Sequence, residues 1–202
     1  IKVRLIKNLP AGSGLGAGSS DAAALLKGVN ELFAMSLTNS ELVDIALQVG
    51  SDVPFFLRSA AGIVTGRGEG FEPIQARTDC FGIVICPDVQ SSTKDAYSLL
   101  DKQKEMLSGN HEAWGSEKLI KQYHNPLGAW CFVNDFQPAL EQHYPVIGCV
   151  RKELCEQGAE FARMSGSGSA VFGLFSSERL MASAFTVLAK KWSWCKPFLL
   201  LA

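Results

Sequence analysis

The chain has 202 residues, enough to bury one large core or two small ones. Hydrophobic residues make up 47% and charged residues 19%, which excludes a disordered tail. A formal net charge of −1 gives no overall basic field for nucleic acid or an anionic membrane, and no apolar run approaches the roughly 20 residues that span a bilayer. Cys80, Cys86, Cys131, Cys149, Cys155 and Cys195 lie scattered through apolar segments, with no Cys-x-x-Cys pair and no metal-ligand spacing to a histidine. They read as free thiols of a reducing cytosol.

In chain order, "IKVRLI" alternates Ile1, Val3 and Leu5 with Lys2 and Arg4, the period of a half-buried strand. The chain opens inside that strand with neither Met nor signal peptide, the pattern of a fragment of a longer polypeptide. Pro10 ends the strand and a glycine-rich stretch follows. A helix is predicted from Ser19 or Ser20, with Ala22, Leu25, Leu26, Val29, Leu32 and Phe33 on its apolar face. The next helix lies in "LTNSELVDIALQVG", where Thr38 and Glu41 form a capping box and Gly50 a terminator. "SDVPFFL" and the strand-like "AAGIVTGRGEGFEPI" follow, with Arg67 and Glu69 read as a solvated turn. Beyond a boundary near Pro73–Asp79 come the buried strand "FGIVICP" and helices around Thr93–Lys104, Ser116–Tyr123 and Pro145–Gln157. The strands "EFARM" and "SAVFGLF", the helix "SERLMASAFTVLAKK" and the strand "WCKPFLLL" complete the chain. Without the extra helices this order is β-α-β-β-α-β, the split ferredoxin-like arrangement.

"LPAGSGLGAGSSDAAALL", Leu9 to Leu26, crowds four glycines and three serines before a run of strong helix formers. Glycines let a backbone approach a ligand closely, and a helix N-terminus offers free N–H groups and the positive end of its dipole. Strand, glycine loop and helix together make a phosphate cradle. Ser19 and Ser20 can cap the helix, bind a phosphate or place a hydroxyl on Mg²⁺. A flexible turn with a serine N-cap would use the same residues. The Gly-Lys-Ser/Thr of a Walker loop is missing, and a Gly-x-Gly-x-x-Gly reading from Gly12 ends on Ala17.

These residues resemble a known family. "LPAGSGLGAGSSDAAAL" is similar to the second motif of the GHMP kinases (galactokinase, homoserine, mevalonate and phosphomevalonate kinases), written Pro-x-x-x-Gly-Leu-Gly-x-(x)-Ser-Ser. "MSGSGSAVFGLF", Met164 to Phe175, is similar to their third, glycine-rich motif. The details "GLGAGSSDAAALL", "GSDVPFFL", "GRGEGFEPI", "STKDAYSLL" and "NDFQPAL" resemble the branch that acts on 4-diphosphocytidyl-2-C-methyl-D-erythritol, over nearly the whole chain. The family's earlier segment, with a Lys-x-Asn motif and much of the substrate pocket, has no counterpart here. The resemblance implies an α+β, two-domain GHMP kinase fold. Its ATP-binding part, 1–75, is similar to domain 2 of ribosomal protein S5 and incomplete at its start; its ferredoxin-like second domain is 76–202.

The resemblance also distributes roles. It places the ATP triphosphate on Pro10, Gly12, Gly14, Leu15, Gly16, Ala17, Gly18, Ser19 and Ser20, with Ser20 a candidate ligand of Mg²⁺. Asp21 stands where many relatives have Asn. Asp52, which by its residues alone is a good helix N-cap ahead of Pro54, matches the catalytic base. The lysine that pairs with it in the family matches nothing in this chain. Tyr97 occupies the place of an aromatic ring against the substrate's cytosine, with a helix-core tyrosine as the alternative. Thr93 either caps that helix or touches substrate. Gly166, Ser167 and Gly168 serve the turn geometry of a hairpin, the active site, or both. His111, His124 and His143 read as incidental, and Trp114, Trp130, Trp192 and Trp194 as packing.

The implied activity is transfer of the γ-phosphate of Mg·ATP to the 2-hydroxyl of 4-diphosphocytidyl-2-C-methyl-D-erythritol, in the non-mevalonate isoprenoid pathway. A GHMP kinase for another small alcohol or phosphate acceptor and a non-catalytic nucleotide-binding relative are the rivals. The expected partner is the small-molecule substrate, with neither nucleic acid nor membrane. The expected state is a monomer or homodimer in the cytoplasm, or in a plastid for a plant or algal source.

Overall fold

The computed structural model describes residues 1–58, 61–89, 91–106 and 114–200. Among them the chain divides into two compact units, one from Gly16 to Arg77 and the other from Thr78 to Leu200 together with Ile1–Leu15. The chain passes from one to the other between Leu15 and Gly16.

The Gly16–Arg77 unit consists of α1 (Ala17–Leu32), α2 (Asn39–Val49), α3 (Val53–Leu57), β1 (Gly62–Thr65) and β2 (Gly70–Pro73). Ala23, Ala46 and Val53 form its buried centre, with Ala22, Leu26, Phe56 and Leu57 packed around them. Small side chains on α1 and α2 let the short α3 lie close against both. The capping box at α2 is complete: Thr38 Oγ1 accepts from Glu41 N, and the Glu41 carboxylate accepts from Thr38 N. Gly50 follows its last residue, and its N–H closes on the Ala46 carbonyl at 3.0 Å. The apolar face expected of α1 is only half used. Leu25, Leu32 and Phe33 are exposed, because α2 and α3 cover the Ala23–Leu26 side alone. β1 and β2 form an antiparallel hairpin, Gly62 opposite Pro73 and Thr65 opposite Gly70.

The second unit is built on a four-stranded antiparallel sheet of β3 (Phe81–Ile85), β4 (Phe161–Met164), β5 (Val171–Phe175) and β6 (Cys195–Leu199), in the order β4-β5-β3-β6. That is the strand order of the ferredoxin-like arrangement. Its helices are α4 (Thr93–Met106), α5 (Ser116–Tyr123), α6 (Gln137–His143), α7 (Pro145–Glu156) and α8 (Glu178–Lys191), with one 3₁₀ turn at Leu127–Ala129. α6 and that turn were not expected from sequence. Alternation sorts the strands. Ile83, Ile85, Val171, Phe175, Ala162 and Met164 join α6, α7 and α8 in the main core, which buries Leu140, Ile147, Val150, Leu154 and Leu188. The opposite face carries Val84, Phe161, Phe172, Leu174 and Phe198, beneath Leu127, Trp130 and Phe132. β3 is therefore apolar throughout, as a strand covered on both faces must be.

One predicted strand is absent. Ile1 to Ile6 form no ladder with a described strand, and Ile1, Val3, Leu5 and Ile6 are all exposed. Alternation supplies a face, but a strand exists only where a neighbour accepts its backbone hydrogen bonds. Residues 1–15, expected with the first domain, group with the second unit. Their anchor is local: Ala170 N donates to Ser13 O at 2.9 Å, and Leu15 packs on Val84, Cys86 and Ala170. An apolar cavity of about 410 Å³ opens beside Leu15, lined by Val84, Tyr123, Trp130, Phe172 and Phe198 among others.

Candidate active site

The glycine loop enters α1 earlier than expected. Gly16, at φ 68°, occupies the N-cap position, and the helix begins at Ala17. Ser19 and Ser20 therefore sit inside the first turn and are not caps. Ser20 N already donates to Gly16 O at 2.9 Å. The N–H groups of Ala17, Gly18 and Ser19 lie ahead of that bond, where a helix has no acceptors of its own. With the dipole behind them they form an anion-binding end. A Cβ at Gly18 would meet nothing within 4 Å, so the approach to this turn is open.

Asp52 stands in the same unit, at the head of α3. It holds the N-cap position ahead of Pro54, yet its carboxylate makes no capping hydrogen bond and is exposed. The capping alternative for this residue is thus not realised. Two contacts fix its surroundings. The Phe56 ring lies against Gly16, where a Cβ would come within 2.9 Å of Cζ, so α3 is seated on the start of α1. The β1–β2 turn meets the chain just before Asp52: Gly68, at φ 107°, lies against Ser51 O so tightly that a Cβ would overlap that oxygen. In this turn the Glu69 carboxylate accepts from Arg67 N at 2.6 Å, and both side chains are exposed, as a solvated turn requires.

In the second unit, Gly12–Leu15 run directly beneath the late glycine loop. Ser165 Oγ donates to Gly14 O at 2.9 Å, and a Cβ on Gly14 (φ 74°) would overlap Ser165 O. Only glycine permits that approach. Leu15 can offer a phosphate nothing but backbone, since its side chain belongs to an apolar cluster. Burial pushes the neighbouring Cys86 thiol up to about 11, partly offset by a hydrogen bond with Ser13. The late loop turns back through Gly168 N to Ser165 O at 2.9 Å, with Gly166 and Gly168 both at positive φ.

Thr93 and Ser167 meet: their hydroxyl oxygens are 3.3 Å apart. Thr93 is free to do so because Ser92 caps α4, accepting from Asp95 N at 3.0 Å and donating to the Asp95 carboxylate at 2.6 Å. Tyr97 lies one turn into α4, 55% exposed, with one side set edge-to-face on Phe136 at 4.9 Å. It is a supported ring with accessible surface, not a core tyrosine. Ser91 was not singled out from sequence. It is 3% exposed, its hydroxyl has no hydrogen-bond partner among the described residues, and its carbonyl faces Gly12. Asn134 and Gln137, which grip the late loop, were missed likewise. Their only signal was the stretch "NDFQPAL".

No group of three or more His, Cys, Asp or Glu side chains able to hold a metal occurs among the described residues. Mg²⁺ delivered on a nucleotide takes one or two protein oxygens and keeps phosphate and water for the rest. The Ser20 hydroxyl, in the first turn of α1, makes no hydrogen bond to a described residue and fits such a role. His124 and His143 make ring contacts with Tyr123 and Tyr144, while His111 lies outside the described residues. Trp130 and Trp194 pack against the second face of the sheet, and Trp192 donates to Glu153 at 3.0 Å.

The model of the GHMP kinases N terminal domain matches residues 1–60, and that of the GHMP kinases C terminal domain matches residues 101–193. A 4-diphosphocytidyl-2-C-methyl-D-erythritol kinase of Treponema pallidum (strain Nichols) is 41% identical over 202 residues, covering 96% of this chain and 69% of its own length. One of Bacteroides thetaiotaomicron is 39% identical over 181 residues, covering 88% of this chain and 62% of its own. The chain thus spans about two thirds of the length of these relatives. A solved 4-(cytidine 5'-diphospho)-2C-methyl-D-erythritol kinase superposes with a TM-score of 0.74 at 26% identity, over 96% of this chain and 67% of the other. With both domain models in order and a relative of this similarity, the chain belongs to the GHMP kinases, a family of small-molecule kinases.

Proposed function

We propose that this protein transfers the γ-phosphate of ATP to the 2-hydroxyl of 4-diphosphocytidyl-2-C-methyl-D-erythritol, a step of isoprenoid precursor synthesis. The 41%-identical relative carries that kinase name, and the residues present suit the chemistry. Phosphoryl transfer asks a protein for positioning and charge stabilisation more than for covalent chemistry. The Gly16–Ser20 turn provides N–H donors and a helix dipole for the polyphosphate, with Pro10, Gly12, Gly14 and Leu15 shaping the approach. Mg²⁺ carried on the nucleotide, with Ser20 as its protein oxygen, would neutralise charge on the phosphates.

Asp52 acts as base. As the acceptor oxygen forms its bond to the γ-phosphorus, the bond from phosphorus to the β,γ-bridging oxygen breaks and ADP leaves. The hydroxyl proton passes to the Asp52 carboxylate. The observation that carries this reading is that Asp52 heads α3, which packs through Phe56 against the start of the helix that follows the glycine loop, with its carboxylate committed to no cap. Tyr97 offers a supported ring to the cytosine, and Thr93, Gly166, Ser167 and Gly168 line the acceptor's side. Residues 1–75 serve as the ATP-binding part and 76–202 as the second domain, with 1–15 anchored on the latter. No helix among the described residues is long and apolar enough to cross a membrane.

Phosphorus NMR of the full gene product with ATP and 4-diphosphocytidyl-2-C-methyl-D-erythritol tests the assignment. A new phosphomonoester signal, coupled to the carbon skeleton at the 2-position and matched by ADP, is expected. A folded, ATP-binding protein that leaves the substrate spectrum unchanged would overturn it.

A further inference from the structure

We propose that Asn134, with Gln137 as its second arm, is a positioning residue for the acceptor side of this kinase: its carboxamide fixes the late glycine loop in the conformation that receives substrate. The inference rests on the acceptor role given above to Gly166–Gly168. Asn134 Nδ2 donates to two carbonyls of that loop, Met164 O at 2.9 Å and Gly166 O at 2.8 Å. Its Oδ1 accepts from Phe136 N at 2.9 Å, so both amide hydrogens and the amide oxygen are engaged and its orientation is settled. Gln137 Oε1 accepts from Met164 N at 3.1 Å, while its Nε2 donates to Glu141, itself held by Arg151 at 2.7 Å. One short stretch thus takes both the N–H and the carbonyl of Met164 and the carbonyl of Gly166.

What that grip leaves free is the point. Gly166 and Ser167 donate their N–H groups to no described residue, while the loop's other bonds run to Gly14, Thr93, Val89 and Ser13. Two adjacent, unspent N–H groups in a loop with alternating positive φ form a concavity for an oxygen-rich ligand. The same stretch sets Phe136 against Tyr97, so the ring proposed for the cytosine and the loop proposed for the rest of the acceptor are registered to each other by Asn134–Gln137. Half an ångström of slack in either would reach the reacting hydroxyl.

The test uses the full gene product. Asn134→Asp keeps the shape but replaces the donor by a carboxylate oxygen facing two carbonyls; Asn134→Ala removes both. Expected are a rise of about tenfold or more in acceptor KM for both Asn134 variants and an ATP KM within about twofold of wild type. Amide exchange gives a readout independent of turnover: Asn134→Asp should speed exchange in residues 164–168 by about tenfold, with α7 and β3 unchanged. Wild-type turnover with an unmoved acceptor KM in Asn134→Asp, or unaltered exchange in 164–168, overturns the inference. Absence of wild-type turnover beside accelerated loop exchange would overturn the acceptor assignment and leave the grip on the loop intact.

Discussion

Four residues show how differently the site constrains its positions. Gly14 combines positive φ with a backbone approach that excludes any Cβ. A left-handed non-glycine residue costs about 1–2 kcal/mol before any overlap. Gly14→Ala should therefore destabilise by more than about 2 kcal/mol in urea unfolding and abolish acceptor turnover; a melt equal to wild type would show that the two loops can part cheaply. Tyr97 predicts the opposite balance. Its ring is largely exposed, so Tyr97→Leu should leave stability within about 0.5 kcal/mol. Base stacking is worth about 1–3 kcal/mol, and acceptor KM should rise roughly 10- to 100-fold while ATP KM stays put. Asp52 before Val-Pro reads by its residues as a helix N-cap and becomes a candidate base only through the family resemblance; the structure shows that its carboxylate caps nothing. The contacts of Asn134 were not readable beyond its place in "NDFQPAL", because its partners lie 30 and 32 residues away.

At the scale of elements, what the sequence made legible was what neighbours in the chain decide. The capping box and Gly50 delimit α2, and Ser116–Tyr123 forms the expected α5, because caps and terminators act within four residues. "IKVRLI" failed for the complementary reason, since strand formation depends on a partner that alternation does not name. α6 was missed because Pro138 sits in its first turn, where proline is tolerated but reads as a breaker. The α2 cap makes a clear prediction. Thr38→Ala should cost about 1 kcal/mol in denaturant unfolding without changing KM for either substrate. The Thr38 N–H, and secondarily its hydroxyl, hold the Glu41 carboxyl below the usual glutamate range. A lowered folded pKa stabilises above the unfolded glutamate's range, and the benefit disappears as pH falls through the folded value. The stability gap between wild type and Glu41→Gln should thus be widest near neutrality and close in acid; a gap that persists below the folded value would contradict the cap.

Across the whole molecule, the two units divide the chemistry. The Gly16–Arg77 unit carries the helix end and Asp52, the proposed base, and the other carries the interlocked glycine loops, Thr93 and Tyr97. The cysteines report on the second unit's packing. Cys80, Cys86 and Cys195 are buried, and burial pushes Cys86 and Cys195 up to about 11, whereas Cys131, Cys149 and Cys155 are exposed. Titration of the native protein with a chromogenic disulfide at pH 8 should show three fast thiols, the remainder reacting only after unfolding. Six fast thiols would mean that the sheet described here does not persist in solution. The fold class was legible because the strand and helix order survives the insertion of extra helices. The acceptor was legible only through the family resemblance, since neither charge nor any single residue type specifies a cytidine diphosphate.

The most direct measurement is coupled ADP release by the full gene product, with 4-diphosphocytidyl-2-C-methyl-D-erythritol, mevalonate and homoserine offered separately and Asp52→Asn assayed beside wild type. Turnover of the cytidine-linked acceptor alone is expected, with kcat falling about 10²- to 10⁴-fold in Asp52→Asn and, since the carboxylate caps nothing, stability changing by less than about 0.5 kcal/mol. Preference for another acceptor, or undiminished turnover by Asp52→Asn, would contradict the account.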